Sequence, residues 1–235
     1  MIVRRPAAER GRTTLPWLDS RHTFSFGGYH DPAHMGFRTL RVINDDRVQP
    51  AQGFQTHAHR DMEILTLALE GAIEHRDSLG NGSIIRAGDA QRMTAGTGVT
   101  HSEFNPSPDA ALRFLQIWIL PERAGLIPEY EQRSFPESAR RNRLTPIAAR
   151  DGRGDALYLH QEAIVSLGHL EAGGTLACRA EKGGHLYLHV FGGKVGLEQH
   201  ALADGDGAAV SGATEIVVKS LDPDAAARFL LFDLA

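Results

Sequence analysis

The chain has 235 residues, enough for one or two domains with a substantial buried core. Its composition, 42% hydrophobic and 23% charged, is that of an ordinary globular protein. A net charge of −4 offers no basic surface for a phosphate backbone, so direct nucleic-acid binding is not expected. No apolar run approaches the length of a membrane span, and no apolar stretch follows the arginine-rich N-terminus, so neither a membrane protein nor an export signal is expected. The single cysteine, Cys178, excludes an internal disulfide and favours a reducing compartment, which predicts a cytoplasmic protein.

Most of the chain is predicted to form short β-strands separated by Gly, Asp and Pro. The segments richest in β-branched, aromatic or alternating apolar residues are 64–69, 112–120, 186–190, 215–219 and 228–232. The turn-forming sequence Leu79-Gly80-Asn81-Gly82-Ser83 predicts a β-hairpin. The proline-containing, charged segment 121–139 is interpreted as a surface connection between two halves. Many short strands without amphipathic helices predict an all-β sandwich or barrel.

A faint internal repeat indicates that the chain contains two similar β-barrels. Residues 87–90 (Ala-Gly-Asp-Ala) have a counterpart in 204–207 (Asp-Gly-Asp-Gly). Residues 65–67, followed by a glycine at position 71, have a counterpart in residues 186–188, followed by a glycine at position 192. We therefore expect an N-terminal barrel over residues 1–135 and a C-terminal barrel over residues 136–235.

Two short pairs of residues indicate a metal site in the first of these barrels. His57 and His59 lie two residues apart, and so do His101 and Glu103. Alternate residues of a β-strand point to the same face, so each pair presents both side chains to one side of its strand. Three imidazoles and a carboxylate, without a thiolate, suit a first-row transition metal and leave coordination positions open, whereas calcium or magnesium would require more oxygen ligands. The sequence predicts one metal held by these four side chains.

The sequence around these pairs resembles the cupin motifs of the pirin family. The first motif runs from Gly53 to Glu63 and closes at Glu70-Gly71, and the second runs from Gly88-Asp89 through 93–105. The segments 24–29 (Phe-Ser-Phe-Gly-Gly-Tyr) and 93–96 (Met-Thr-Ala-Gly) also match pirins. In pirins the usual ligand glutamate of the first cupin motif is replaced by a glutamate two residues after the second-motif histidine, which is the position of Glu103. The resemblance is strongest over residues 21–120 and weak after residue 146.

The resemblance implies a bicupin, with two antiparallel jelly-roll β-barrels in one chain. It also implies a quercetin 2,3-dioxygenase activity that uses a flavonol and O2 and releases carbon monoxide. The implied cofactor is one divalent transition metal, iron(II) first, with manganese, cobalt, nickel, copper and zinc also compatible. Glu103 would then be a metal ligand and also the catalytic base that accepts the proton of the flavonol 3-hydroxyl.

Two other functions remain open for the same site. Some pirins act as metal- and redox-responsive regulators, so the chain could bind a transcription factor or a metabolic enzyme without catalysing a reaction. A metal-assisted isomerase or hydrolase is also compatible with the fold, because fold does not determine function. The sequence favours the dioxygenase and leaves a monomer and a weak dimer as equal alternatives.

The second barrel is expected to hold no transition metal. The internal repeat aligns Cys178, Ala180, Val218 and Ser220 with the four predicted ligands. At most one of these could bind a metal. Three further histidines in this half, at positions 185, 189 and 200, do not rebuild a four-ligand set by their spacing.

Several other residues have two interpretations, of which the structural one is favoured. Glu63, four residues after His59, is an alternative ligand but is expected to be structural, and Arg60 could orient a ligand. Cys178 is expected to be a small buried apolar residue rather than a redox sensor. The histidines near the N-terminus, expected at the surface or in hydrogen bonds rather than at the barrel mouth, are His22, His30 and His34. The candidates for pocket walls, about half of which should face the core instead, are Phe54, Met93, Phe104, Leu115 and Trp118.

Overall fold

The computed structural model describes residues 1–235 and consists almost entirely of β-strands with three short 3₁₀ helices. The helices are Ala7–Glu9, Glu137–Ala139 and Arg153–Asp155. The strands of the first part of the chain are β1 (Ile2–Arg5), β2 (Gly11–Leu15), β3 (Leu18–His22), β4 (Leu40–Val48), β5 (Gly53–His59), β6 (Glu63–Glu70), β7 (Ala72–Asp77), β8 (Gly82–Arg86), β9 (Asp89–Thr94), β10 (Val99–Phe104), β11 (Leu112–Ile119) and β12 (Glu129–Ser134). The remaining strands are β13 (Arg143–Ala149), β14 (Leu157–Tyr158), β15 (Ala163–Leu170), β16 (Thr175–Arg179), β17 (His185–Gly192), β18 (Lys194–Leu197), β19 (His200–Ala203), β20 (Gly207–Ser211), β21 (Glu215–Ser220) and β22 (Ala227–Leu234). No helix has the length and apolar character needed to cross a membrane.

The local predictions agree with these strands except in one segment. The five predicted strand segments coincide with β6, β11, β17, β21 and β22 to within a few residues, and β7 and β8 form the predicted antiparallel hairpin. Residues 121–139 lie largely at the surface, as interpreted, but they are more than a connection, because β12 lies within them and pairs with β9. The sequence of β12, Glu-Tyr-Glu-Gln-Arg-Ser, lacks the apolar alternation of a half-buried strand, since an edge strand is held by backbone hydrogen bonds.

The first compact unit contains residues Gly11–Ser134 together with Leu157–Gln161. Its larger sheet has the strand order β12-β9-β6-β11-β4-β3-β2, and its smaller sheet has the order β5-β10-β7-β8. The two sheets face each other across an apolar core, because side chains of both sheets meet in one cluster of buried residues. The members of this cluster are Leu18, Val48, Ala68, Ile73, Ile85, Leu112 and Phe114.

The second compact unit contains Met1–Arg10, Phe135–Ala156 and Glu162–Ala235. In its larger sheet the strands follow the order β1-β20-β17-β22-β15-β13, and its smaller sheet has the order β16-β21-β18-β19. Its core again draws on both sheets, with Leu188 and Phe229 from the larger sheet and Val195 and Val218 from the smaller one.

The two units repeat one strand order, which confirms the predicted all-β bicupin. The small sheets correspond strand by strand, β5-β10-β7-β8 to β16-β21-β18-β19, as the internal repeat suggests. The units differ from the expected barrels in that each is a sandwich of two separate sheets. At the position that β12 occupies beside β9 in the first unit, the second unit has β1, from the N-terminus, beside β20. The first ten residues therefore belong to the same compact unit as Phe135–Ala156 and Glu162–Ala235.

Candidate metal centre

Two neighbouring strands of the small sheet bring three histidines together. Strands β5 and β10 are antiparallel, and their register places His101 directly opposite His57. The ring centroids lie 4.5 Å apart for His57 and His101, 4.8 Å for His57 and His59, and 4.9 Å for His59 and His101. One ring nitrogen from each residue lies within 4.8 Å of the other two. The strand alternation that predicted convergence of these imidazoles therefore holds in the structure.

Glu103 adjoins this cluster through His101 and belongs to a second group of donors. The register shifts between His101 and Glu103, so that Glu103 lies opposite Phe54 rather than opposite Gln55. On its other side β10 pairs with β7, and there Glu103 lies opposite His75. A carboxylate oxygen of Glu103 and one ring nitrogen each of His75 and His101 lie within 4.8 Å of one another.

His75 is the site residue that the sequence analysis missed. It is fully buried, and its ring centroid lies 5.3 Å from that of His101. It belongs to neither cupin motif, and only the register of β7 against β10 places it beside Glu103. The available signal was a third pair of metal-binding residues two positions apart on a predicted hairpin strand, His75 and Asp77.

The hydrogen bonds of the histidines leave nitrogen lone pairs available. The Nδ1–H of His57 donates to the backbone carbonyl of Gln55 at 2.7 Å, which leaves its Nε2 as an acceptor. His101 is almost completely buried, and neither of its ring nitrogens has a hydrogen-bond partner. Buried polar atoms without partners are rare in proteins, and a bound metal ion would satisfy one of these nitrogens. This donor set therefore fits a divalent transition metal.

Burial keeps two of the imidazoles in the neutral form that binds metals. Desolvation lowers the pKa of His59 to about 4, with a further contribution from the charge of His57. Desolvation, together with smaller contributions from the neighbouring imidazoles of His57, His59 and His75, lowers the pKa of His101 to about 2. Both rings are consequently uncharged near pH 7, so metal binding would not require them to release a proton.

The pKa of Glu103 is shifted in the opposite direction, upward, and its carboxylate is hydrogen-bonded. Burial raises the pKa of Glu103 to about 7, against hydrogen bonds from Gln116 and with a contribution from the nearby charge of Asp46. The side-chain amide of Gln116 donates to its Oε2 at 3.0 Å. The Thr66 hydroxyl lies 3.4 Å from its Oε1 and 3.0 Å from the Gln116 side-chain oxygen, so the two acceptors share its hydrogen. A carboxyl group with this pKa changes its protonation state near neutral pH, as a general base at this pH requires.

The cluster opens into a cavity of about 590 Å³ within the first unit. One part of its wall is aromatic: Trp118 contacts His59 edge to face at 5.0 Å, and Phe54 contacts Trp17 in the same manner at 5.1 Å. The aromatic residues of the wall are Trp17, Phe26, Phe54 and Trp118. The polar residues of the wall are Thr13, Ser20, His22, Asn44, Asp46, Gln52, Gln55 and Gln116. A cavity of this size, with aromatic side chains on one part of its wall and polar groups on the rest, can hold a small aromatic molecule.

The remaining candidates from the sequence divide between the cavity and the core. Of the five predicted wall residues, Phe54 and Trp118 line the cavity, whereas Met93, Phe104 and Leu115 do not. His22 lines the cavity and is also hydrogen-bonded, with 2.8 Å from its Nε2 to the Thr13 hydroxyl and 2.8 Å from its Nδ1 to the Asn44 side chain.

Two further candidate histidines lie outside the cavity wall. His30 is exposed in a loop, and the Nδ1 of His34 lies 2.7 Å from the Asp31 carboxylate. Neither belongs to a group of potential metal ligands.

Glu63 and Cys178 have structural surroundings. Glu63 is fully buried in β6, accepts a hydrogen bond from the backbone N–H of His160 at 3.3 Å, and belongs to neither group of potential metal ligands. Cys178 is fully buried in the apolar core of the second unit, and desolvation raises the pKa of its thiol to about 12. A thiol with this pKa is not ionised at neutral pH, so Cys178 has the character of a small apolar residue rather than a redox sensor. Val218, at the position that the repeat aligns with His101, lies in the same apolar core.

Comparison with known proteins identifies relatives along the whole chain. A family profile described as "Pirin" matches residues 4–119, and one described as "Quercetinase C-terminal cupin domain" matches residues 146–234. A quercetin 2,3-dioxygenase of Escherichia coli K12 is 43% identical over 234 residues, covering 100% of this chain and 99% of the relative. The crystal structure of YhhW from Escherichia coli is similar with a TM-score of 0.94 and 41% identity, covering 100% of this chain and 98% of YhhW. A structure of bacterial pirin YhhW in complex with nickel(II) has a TM-score of 0.93 and 41% identity, covering 100% of this chain and 99% of that one.

Proposed function

The chain belongs to the pirin family, and from this membership we propose that it is a metal-dependent dioxygenase that cleaves quercetin-like flavonols with O2 and releases carbon monoxide. The observation that carries the proposal is a cluster of three histidines of which two, His57 and His59, line a cavity with aromatic walls together with the buried Glu103. The full-length similarity to a relative named quercetin 2,3-dioxygenase supports the same reaction.

We propose that one divalent transition metal binds to His57, His59, His101 and Glu103. The two unpartnered ring nitrogens of His101 and the locked tautomer of His57 support this assignment, as does the nickel(II) complex of the related bacterial pirin. Iron(II) is the proposed physiological ion, since neutral imidazoles and a carboxylate suit it, and the same donors are compatible with manganese, cobalt, nickel, copper and zinc. When bound, the metal would supply open coordination positions for the reaction of the flavonol with O2.

The residues of the chain bind the flavonol and hold its reactive hydroxyl near Glu103. The flat rings of a flavonol match the aromatic wall formed by Trp17, Phe26, Phe54 and Trp118, which also limits the access of water. The polar wall around His22 and Asn44 offers hydrogen bonds to phenolic hydroxyl groups. Holding the substrate in one orientation converts its encounter with O2 into an oriented local step.

Glu103 is proposed to take the proton of the flavonol 3-hydroxyl. Its carboxylate lines the cavity in which the flavonol would bind, and in the metal-free protein burial raises its pKa to about 7. The hydrogen bonds from Gln116 and Thr66 hold the carboxylate in place while its protonation state changes.

Location in the cytoplasm and the choice between a monomer and a weak dimer stay predictions from the sequence.

Reconstitution with metals tests this function. The metal-free protein would be loaded anaerobically with iron(II), manganese(II), cobalt(II) or nickel(II), and O2 uptake and carbon monoxide release would be measured with quercetin. The proposal predicts turnover that scales with bound metal and is lost in the double variant His57→Ala/His101→Ala. A His185→Ala variant in the second unit serves as the matched control and should behave as the wild type. Absence of turnover with all four metals would refute the dioxygenase and favour a metal-responsive regulator.

A further inference from the structure

A carboxylate and a histidine on β7 lie behind the metal centre. Asp77 and His75 both have fully buried side chains, and the Nε2 of His75 lies 3.2 Å from the Oδ2 of Asp77. The register of β7 against β10 places Asp77 opposite His101 and His75 opposite Glu103. Neither side chain lines the cavity that opens onto His57 and His59. Their position is therefore that of a support for the metal ligands on β10.

The hairpin between β7 and β8 fixes the carboxylate of Asp77 as a hydrogen-bond acceptor. Its Oδ1 accepts hydrogen bonds from the backbone N–H groups of Leu79 at 2.9 Å and Asn81 at 3.0 Å. Its Oδ2 accepts from the side-chain amide of Asn81 at 2.9 Å and from the Nε2–H of His75. Because Asp77 accepts at both oxygens, the Nε2 of His75 must carry the proton of that hydrogen bond.

The other ring nitrogen of His75, Nδ1, then carries a lone pair that can accept a hydrogen bond. Its Nδ1 is buried and has no hydrogen-bond partner, so a second proton there would have no acceptor. The adjacent His101 lacks hydrogen-bond partners, since both its ring nitrogens are buried and unpartnered. A metal can satisfy only one of these two nitrogens. The other carries a proton that requires an acceptor.

We propose that His75, oriented by Asp77, is a positioning residue for the metal ligand His101, accepting its remaining N–H at Nδ1 directly or through one water. Ring nitrogens of the two residues lie within 4.8 Å of each other, a separation that one bridging water or a small rotation of the rings can span. The hydrogen-bonded series Asp77–His75–His101, called the relay below, would fix the tautomer of His101 and direct its other nitrogen to the metal. This inference rests on the proposed metal site and extends it to two residues outside the ligand set.

Two substitutions interrupt the relay in different ways. His75→Phe keeps a ring of similar size against Tyr130, which lies 4.9 Å away, but removes both nitrogens. Asp77→Asn keeps the size of the side chain and the two backbone hydrogen bonds of the hairpin but gives up the hydrogen bond from the Asn81 side-chain amide. An asparagine that still accepts the two backbone N–H groups at one oxygen must present its NH₂ to His75, which would shift the His75 proton from Nε2 to Nδ1 and leave no acceptor for His101. Tyr130→Phe is the control, because it alters the same packing and removes the hydroxyl hydrogen bonds to Ser83 and Gln132 without touching the relay.

The measurement is the Co(II) dissociation constant by chelator competition, together with the Co(II) absorption spectrum at full occupancy and the ¹⁵N shifts of the His75 ring. Both variants should bind Co(II) about 10- to 100-fold more weakly, the usual cost of losing such an outer partner, with an altered spectrum. Tyr130→Phe should match the wild type. In Asp77→Asn the ¹⁵N shifts should report the Nδ1–H tautomer, and this variant decides the question if His75→Phe does not fold. Co(II) affinity and spectrum like the wild type in Asp77→Asn would overturn the relay alone, whereas a wild type that binds no Co(II) would refute both the relay and the proposed metal site.

Discussion

At the scale of single residues, Glu103 is proposed to have two roles, metal ligand and catalytic base, and the second distinguishes an enzyme from a metal-binding regulator. As a ligand it needs only an oxygen atom, but as a base it needs an ionisable carboxylate. Replacing Glu103 by Gln keeps the size of the side chain and its oxygen while abolishing proton uptake. The two roles can therefore be separated by measuring turnover and metal content in one variant.

Glu103→Gln is expected to retain metal through the three histidines and to lose at least ~10²-fold in kcat, the usual contribution of a general base. Quercetin-dependent O2 uptake per bound metal, measured across pH, checks this expectation. An occupancy defect would instead be restored by excess iron(II). Equal turnover per bound metal in the variant and the wild type would show that Glu103 is not the base.

The raised pKa of Glu103 also predicts a pH dependence of stability in the metal-free protein. Its pKa is 4.5 in the reference state and about 7 in the folded protein, because the charged form is desolvated by burial. Between these values the folded state binds more protons than the unfolded state, so the contribution of Glu103 to stability falls as pH rises. The free energy of unfolding of the metal-free wild type relative to Glu103→Gln should thus decrease from pH 4.5 to about 7.

Denaturant unfolding of both proteins at several pH values gives this difference directly. Using the difference removes the opposing effect of His59 and His101, whose lowered pKa values favour the folded state at higher pH in both proteins. A difference that does not vary over this range would mean that the carboxyl of Glu103 is not perturbed in the folded protein.

At the scale of elements, the turn that leads into β10 depends on a glycine. Gly96 has φ +47°, and a Cβ at this position would lie 2.0 Å from the backbone oxygen of Leu126. Gly96→Ala must therefore move backbone and not only a flexible side chain. It should destabilise the protein by about 2–4 kcal/mol, the range of severe backbone and packing defects.

The matched control is Gly173→Ala, with φ +70° but no atom within 4 Å of the added Cβ. It incurs only the strain of the left-handed conformation, about 1 kcal/mol. Denaturant unfolding of the two variants separates the collision from the conformational strain. Similar losses in both would contradict the close approach of Leu126 to Gly96.

The strands that carry the ligand pairs could be predicted because each signal is local. His57 with His59, and His101 with Glu103, follow the two-residue period of a strand, and the glycine-rich turns around them mark the strand ends. The neighbours of those strands could not be predicted in the same way. His75 reaches Glu103 only through the register of β7 against β10, and the shift beside His101 depends on both partners of a pair far apart in the chain.

At the scale of the whole molecule, the repeat predicted two cupin units but not the strand that completes the larger sheet of the second one. β1 has only four residues and β12 has Tyr130 as its one apolar residue, so neither shows a hydrophobic period that indicates which sheet it completes. Backbone pairing decides instead: β1 lies beside β20 and β12 lies beside β9. The sequence does predict a difference in metal ligands between the units, because an alignment of the repeat replaces His57 and His101 by Cys178 and Val218.

The central claim is that the chain binds one catalytic metal in its first unit, and anomalous X-ray diffraction from metal-loaded crystals tests it most directly. Data collected at the absorption edge of the loaded ion locate it without assumptions about its ligands. The account predicts one strong anomalous peak per chain, bounded by His57, His59, His101 and Glu103, and no internal peak within residues 162–235. A fully liganded ion in that second region, or no peak among the three histidines at saturating metal, would contradict it.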